Sequence, residues 1–213
     1  MPHLELVLFR LVLFSLVGVI AFFLLIGGYG ILRALRIPTS WVAWIVGTLL
    51  IAASILLCLS ILLPGQFGEA RIPGNLLGLM SFLVAVNSAS QWTTRQWYVH
   101  IGKRTTSLLV KGSRNILLFL RKHHVFFGWV VALTAIGHTV YYLPILLRVQ
   151  QYEVITGFIA LGILALSALL GMWIWLQVTV RKQRMPQGVH TVHSALAIAF
   201  FVTLMVHMIL AGA

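Results

Sequence analysis

Long apolar segments alternate with short polar or basic stretches along this chain. Five of these segments run for about twenty residues or more, which predicts membrane-spanning helices. Their bounds are 6–31, 41–63, 124–147, 155–178 and 189–211. A sixth segment, 72–92, is weaker because polar residues dilute its second half: Asn87, Ser88, Ser90 and Gln91. The pattern therefore predicts five or six membrane-spanning helices.

Prolines mark most of the predicted helix boundaries. Pro38 precedes the second segment, Pro73 lies at the start of the weak one, and Pro186 precedes the last. Pro64 follows the second segment. Pro144 lies near the end of its helix and predicts a kink or an early end there, because proline lacks the amide hydrogen that a helix interior needs.

Composition indicates a fold inside the membrane. Hydrophobic residues make up 61% of the 213 residues, charged residues 8%, and the mean hydropathy is +1.03. That leaves too little polar surface for a soluble domain. Only helices or closed barrels satisfy their backbone groups in lipid, and the dyad alternation of barrel strands is absent. We therefore expect an all-α, polytopic transmembrane helical bundle that forms a single domain over residues 1–213.

Basic residues concentrate in two stretches that predict the orientation. The positive-inside rule explains the net charge of +12 better than nucleic-acid binding does. We expect cytoplasmic loops at 93–122 and 181–188, in a protein of the bacterial inner membrane. If 72–92 crosses the membrane, the N-terminus lies outside; otherwise it lies inside. The first segment is expected to be a retained helix rather than a signal peptide, since no clear small-residue cleavage site follows it.

Two histidine pairs share one spacing inside the apolar segments. Fourteen residues separate His124 from His138, and fourteen separate His193 from His207. On an α-helix this places each pair on one face, about 21 Å apart, near opposite sides of a hydrocarbon core about 30 Å thick. The two helices run parallel because one span separates them, so we expect His124 to face His193 and His138 to face His207. Four imidazoles suffice for two six-coordinate haems without an open position for oxygen.

The residues between the histidines fit a porphyrin on that face. Gly128 and Ala135 lie close to the direction of His124, and Ala197 has the same place on the second helix. Small side chains there leave room for the macrocycle. Phe200 is expected between the two haems, opposite Val131.

Basic side chains flank the predicted inner haem, formed by His124 and His193. Arg121 and Arg181 are candidates to pair with its propionates, although membrane anchoring explains them equally well. Both haems are expected to be haem b held without covalent bonds, because the single cysteine, Cys58, cannot form a Cys-x-x-Cys-His attachment site.

Histidines in membrane helices can also be structural or carry protons. A proton path is disfavoured because the three carboxylates, Glu5, Glu69 and Glu153, lie at span edges or in loops. His123 could replace His124 if the register shifted by one residue. No role is assigned to the remaining histidines, His3, His100 and His190.

The sequence around the histidines resembles a known family. Residues 124–139 resemble the first haem helix of the NADPH-oxidase and ferric-reductase transmembrane family in their histidine spacing, in Trp129 and in Thr139. Residues 193–207 resemble its second haem helix, and the resemblance covers about 75–212, the expected haem-binding core. It implies a di-haem cytochrome b that passes electrons to oxygen or ferric iron across the membrane.

The resemblance does not extend to a cytoplasmic flavin or NADPH domain. The chain ends six residues after His207 and has no dinucleotide-binding fingerprint. The leading hypothesis is therefore an oxidoreductase subunit for transmembrane electron transfer, whose donor is a flavoprotein, another redox protein or membrane quinol. Two alternatives stay open: the cytochrome b anchor of a quinone-linked dehydrogenase, and a non-redox structural or transport subunit of a larger membrane complex.

Overall fold

A computed structural model describes residues 2–60, 71–100, 108–143 and 151–210, and in these ranges the chain is helical with no strand. The six helices are α1 (Pro2–Ala34), α2 (Thr39–Ser60), α3 (Arg71–His100), α4 (Leu108–Tyr142), α5 (Gln151–Trp175) and α6 (Gln187–Leu210). A π-helical turn, Leu176–Val180, extends α5. All but α3 are long and apolar enough to cross a membrane, which confirms the all-α bundle.

Helix contacts show that α3 runs alongside α4 in the opposite direction. Gly74 lies against Tyr141 near the start of α3, and Ala85 packs with Val131 halfway along. Helices α5 and α6 form a second antiparallel pair. We call the two ends of the bundle the His138 end and the His124 end.

Helix α1 packs across α3 and α6, and α2 packs on α4. Arg10 Nη1 donates a hydrogen bond to the carbonyl of Ile209 over 3.0 Å, so the start of α1 and the end of α6 lie at the His138 end. Tyr29, near the other end of α1, contacts the Asn115 carbonyl close to the start of α4. With α3 running from the His138 end to the His124 end, the six helices alternate in direction.

The predicted basic loop at 93–122 is wrong over most of its length. Residues 93–100 are the last turns of α3, and 108–122 are the first turns of α4. The reason is amphipathicity: Ile116 and Leu120 are buried, whereas the basic residues around them point away from the core. Arg95, Arg114, Arg121 and Lys122 are exposed at the His124 end.

The positions of the prolines predicted several of the helix ends. Helix α2 begins directly after Pro38 and α6 directly after Pro186. Helix α4 ends at Tyr142, two residues before Pro144, because a proline disfavours helical geometry in the residue before it. Predictions that concern Pro64, Glu69, residues 101–107 and the side chain of Cys58 lie outside the described part of the structure.

A buried layer crosses the middle of the bundle. Its central members, one from each of α3 to α6, are Ala85, Val131, Leu164 and Phe200. Val131 is seven residues from both His124 and His138, and Phe200 is seven residues from both His193 and His207. Seven residues make nearly two helical turns, so each helix presents one continuous face to its neighbours.

Helices α4 and α6 approach each other mainly through side chains. The main chain of α4 packs chiefly on α3 and α2, and that of α6 on α5. The histidines of α4 and α6 therefore project into the space between two helix pairs.

Candidate functional site

The structure brings the four histidines together in the two pairs that the spacing predicts. The ring centroids of His124 and His193 lie 6.1 Å apart, and those of His138 and His207 lie 6.3 Å apart. The rings of each pair are nearly perpendicular, at 83° and 77°. Two helices thus present two imidazole pairs to each other at opposite ends of the bundle.

These separations are those expected for two histidines that bind the same metal ion. A metal–imidazole bond is about 2 Å long and a ring nitrogen lies about 1.1 Å from its centroid, so two such rings are about 6 Å apart. Each pair offers only two ligands, and the described ranges contain no group of three or more histidine, cysteine or carboxylate side chains that could hold a metal ion. Bare zinc sites need three or four protein ligands. Two histidines fit a haem, whose porphyrin supplies the other four nitrogens.

Small residues leave space beside the His124–His193 pair. Gly128 follows His124 by about one turn, and a Cβ placed on it would meet no atom within 4 Å. Ala197, one turn after His193, is exposed. Ala135 packs at the edge of the central buried layer instead. The space at Gly128 is where the sequence predicts room for a macrocycle.

Three glycines on neighbouring helices allow histidine rings to pack close against the backbone of those helices. A Cβ on Gly78 of α3 would lie 3.0 Å from His138 Cε1, and a Cβ on Gly171 of α5 would lie 3.0 Å from His193 Cε1. On Gly157 of α5 it would lie 3.2 Å from His207 Cε1. Any larger residue at these positions would push against a ring.

Sequence reasoning missed the glycines, although a signal was present. Gly157 and Gly171 are fourteen residues apart on the helix between the two histidine helices, the same spacing as His193 and His207. Because α5 and α6 are antiparallel, Gly157 lies beside His207 and Gly171 lies beside His193. The repeated spacing therefore marks the face of α5 that supports both rings.

Hydrogen bonds fix both rings at the His138 end. His138 Nδ1 donates to the carbonyl of Gly74 over 2.9 Å. His207 Nδ1 donates to Thr156 Oγ1 over 3.2 Å, and the Thr156 hydroxyl itself donates to the Tyr152 carbonyl. With Nδ1 protonated, Nε2 is the unprotonated nitrogen that can bind a metal.

The His124 end is less completely organised. His124 Nδ1 and His193 Nδ1 are buried, and neither has a hydrogen-bond partner in the described chain. The Ser167 carbonyl lies near His193 without meeting the geometry of a hydrogen bond. A buried polar group without a partner costs about 1–3 kcal/mol. The two histidine pairs are therefore not equivalent, and the pair at the His138 end is the better oriented.

Phe200 lies in the central buried layer, between the two histidine pairs. It is buried at 8% exposure in one cluster with Val131 and Leu164. Its ring is the aromatic group in the central layer that separates His124 and His193 from His138 and His207.

The other candidate residues occupy distinct places. His123 points away from the pairs, with Nε2 3.2 Å from Ser40 Oγ of α2, and so does not replace His124. Arg121 and Arg181 are both exposed at the His124 end. Pairing of these arginines with haem propionates stays a prediction.

Replacing Thr156 with valine tests the orientation of His207. The change keeps the shape and removes the acceptor of the Nδ1 proton. Loss of such a partner typically costs 10–100-fold in metal affinity. If His138 and His207 bind a haem, we expect the variant to bind it about 10-fold more weakly, in a two-step haem titration.

Thr203→Val is the matched control for this change. Thr203 lies on α6 and its hydroxyl bonds only backbone carbonyls, those of Ala199 and Phe200, in the described structure. Equal haem affinity in the Thr156 and Thr203 variants would show that the Thr156 hydroxyl does not orient His207.

Comparison with family models, with curated proteins and with solved structures finds no match to this chain.

Proposed function

We propose that this chain is a membrane subunit that transfers electrons across the membrane through two haem b groups, each bound by two histidines. His124 and His193 would bind one iron, and His138 and His207 the other. Bound haem would supply reversible one-electron chemistry at each iron. The observation that carries the proposal is the meeting of four histidines in two pairs, 6.1 and 6.3 Å across, at opposite ends of one bundle.

The chain's own contribution is to position and insulate the two irons. Two histidines on each iron would leave no open coordination position, which favours electron transfer over oxygen binding. Histidines fourteen residues apart on one helix fix a vertical separation of about 21 Å. Phe200 and its neighbours fill the middle layer and keep water out of the space between the sites.

The orientation follows from charge. Arg114, Arg121, Lys122 and Arg181 are exposed at the His124 end, so the positive-inside rule assigns this end to the cytoplasm. The first and last residues of the described chain would then lie on the outer side of a bacterial inner membrane. Electrons would pass between a cytoplasmic-side donor and an external acceptor, as the resemblance of residues 124–139 and 193–207 to ferric-reductase helices implies.

The donor would be a flavoprotein, another redox protein or membrane quinol. The second candidate function is the haem-bearing anchor of a quinone-linked dehydrogenase. It is favoured by a cavity between α1, α2 and α4. The other alternative is a non-redox structural or transport subunit of a larger membrane complex.

Vesicles with trapped ferricyanide test the proposal. With dithionite added outside, we expect the protein to reduce the trapped ferricyanide, at a rate well above that of protein-free vesicles. The His207→Ala variant should lose this rate while keeping haem at the His124 end. A wild-type protein that is loaded with haem yet reduces no trapped ferricyanide would contradict transmembrane transfer.

A further inference from the structure

A glycine and the carbonyl group one helical turn before it lie together against the ring of His138. A Cβ on Gly78 would lie 3.0 Å from His138 Cε1 and 3.2 Å from its Nδ1. The carbonyl that accepts the Nδ1 proton belongs to Gly74, four residues earlier on α3. Helical side chains lean toward the N-terminus and cover the turn before their own Cα. A side chain at position 78 would therefore cover the Gly74 carbonyl, whereas glycine leaves it open to the ring.

A helical carbonyl can serve an imidazole without leaving its own helix. Its oxygen has two lone pairs, and one of them accepts the amide hydrogen of the residue four positions later. The side chain of that later residue normally shields the other lone pair. Where the later residue is glycine, a donor on a neighbouring helix can reach the oxygen. The spacing of four residues between the carbonyl and the glycine therefore has a physical cause.

The same relation is found at His193. A Cβ on Gly171 would lie 3.0 Å from His193 Cε1, and the carbonyl beside this ring belongs to Ser167, four residues before Gly171. Ser167 is buried in α5. His193 Nδ1 is also buried and has no hydrogen-bond partner in the described chain. A ring nitrogen that lacks a partner and a carbonyl that glycine leaves uncovered thus lie beside each other, on α6 and α5.

At His207 the arrangement includes a hydroxyl group. Gly157 packs against this ring, and the carbonyl four residues earlier, that of Glu153, lies 3.1 Å from Thr156 Oγ1. The same hydroxyl oxygen is 3.2 Å from His207 Nδ1. Thr156 thus stands between the ring and the carbonyl that the glycine exposes. The relation between glycine and carbonyl holds at each of the three rings that a glycine contacts.

We propose that Ser167 and Gly171 form the site that orients His193, with the main-chain carbonyl of Ser167 as the acceptor of the Nδ1 proton. His193 Nε2 is then the nitrogen without a proton, as a metal ligand must be. Gly171 acts by leaving the carbonyl uncovered, and Ser167 acts through its main chain, so both are positioning residues. The inference rests on the proposed function only where it concerns haem, because the hydrogen bond sets the tautomer of His193 with or without haem.

An ester in place of one peptide bond tests the carbonyl without changing any side chain. Replacing Ala168 by lactic acid turns the Ser167 carbonyl into an ester carbonyl, which is a weaker hydrogen-bond acceptor. The matched control is Ala165→lactic acid, which makes the same change on the same helix at the carbonyl of Leu164. That carbonyl is followed four residues later by alanine instead of glycine, so it stays covered. Both variants lose one amide hydrogen, and only one of them weakens the acceptor beside His193.

The first measurement is nitrogen NMR of labelled histidine in the full-length protein without haem. We expect His193 to be protonated on Nδ1 in the wild type and in the Ala165 variant. In the Ala168 variant a larger fraction of His193 should carry its proton on Nε2. His124 is the internal reference, because its Nδ1 has no partner in the described chain and its signals should not change. His193 protonated on Nε2 in the wild type, or the same tautomer in both ester variants, would overturn the inference.

A two-step haem titration separates this inference from the proposed function. The Ala168 variant should bind haem about 3-fold or more weakly at the His124 end, and the Ala165 variant should bind both haems as the wild type does. Protein that binds no haem, but in which the His193 tautomer changes in the Ala168 variant alone, would support the inference and overturn the proposed function. Two haems bound with equal affinity by both variants, with the tautomer unchanged, would overturn the inference and leave the proposed function standing.

Discussion

Replacement of His207 by alanine is expected to remove about half of the bound haem, because it takes away one of two iron ligands at one site only. The remaining haem should keep a low-spin spectrum, since His124 and His193 lie at the opposite end of the bundle. The same result is expected for His138→Ala. The measurement is haem per chain by pyridine haemochrome, with an optical spectrum of the reduced protein.

His190→Ala is the control for this experiment. His190 lies on the same helix, three residues before His193, but is exposed, so its loss should leave both haems in place. Unchanged haem content in His138→Ala and His207→Ala would show that these two residues do not hold iron. Loss of all haem from either variant would show that the two sites do not form independently.

Replacement of Gly171 by valine is expected to remove haem from the site formed by His124 and His193, although the variant keeps every histidine of the sequence. The new Cβ would lie 3.0 Å from His193 Cε1 before its methyl groups are counted. Overpacking of this kind typically costs about 1–3 kcal/mol. The ring can avoid that cost by turning away from His124, and the iron then loses one ligand. We expect haem content to fall to about one per chain, with the His138 site retained.

Gly162→Val is the control for this experiment, because it makes the same substitution at a glycine that contacts no histidine. Gly162 lies on the same helix and is exposed, and a Cβ placed on it would meet no atom within 4 Å. Its variant should bind both haems. If Gly171→Val also binds both haems with unaltered spectra, the close fit of Gly171 to His193 has no role in ligation. Gly157→Val extends the test to His207 and should spare the His124 site instead.

Much of the fold was predictable because hydropathy depends on local sequence. The apolar segments and prolines located α1, α2, α5 and α6 to within a few residues. The prediction failed for residues 93–122, where charges and apolar side chains occur together. A helix can carry Arg114 and Arg121 outside while it buries Ile116 and Leu120, and an averaged hydropathy does not separate the two faces.

The pairing of the histidines was predictable for a similar reason. Spacing on one helix is a property of the sequence, and the parallel direction of α4 and α6 follows from the single helix between them. The glycine contacts were not predicted, because they depend on how α3 and α5 pack beside the histidine helices. The cavity between α1, α2 and α4 takes its lining from several helices at once, so no single segment of the sequence predicts it.

The central claim is that this chain holds two haems, each between two histidines, and haem stoichiometry tests it most directly. Protein made with ample haem and purified in detergent should contain two haems per chain. Its dithionite-reduced spectrum should show the sharp α band of low-spin haem b. One haem per chain would mean that one histidine pair has another role. Protein without haem under these conditions would contradict the account.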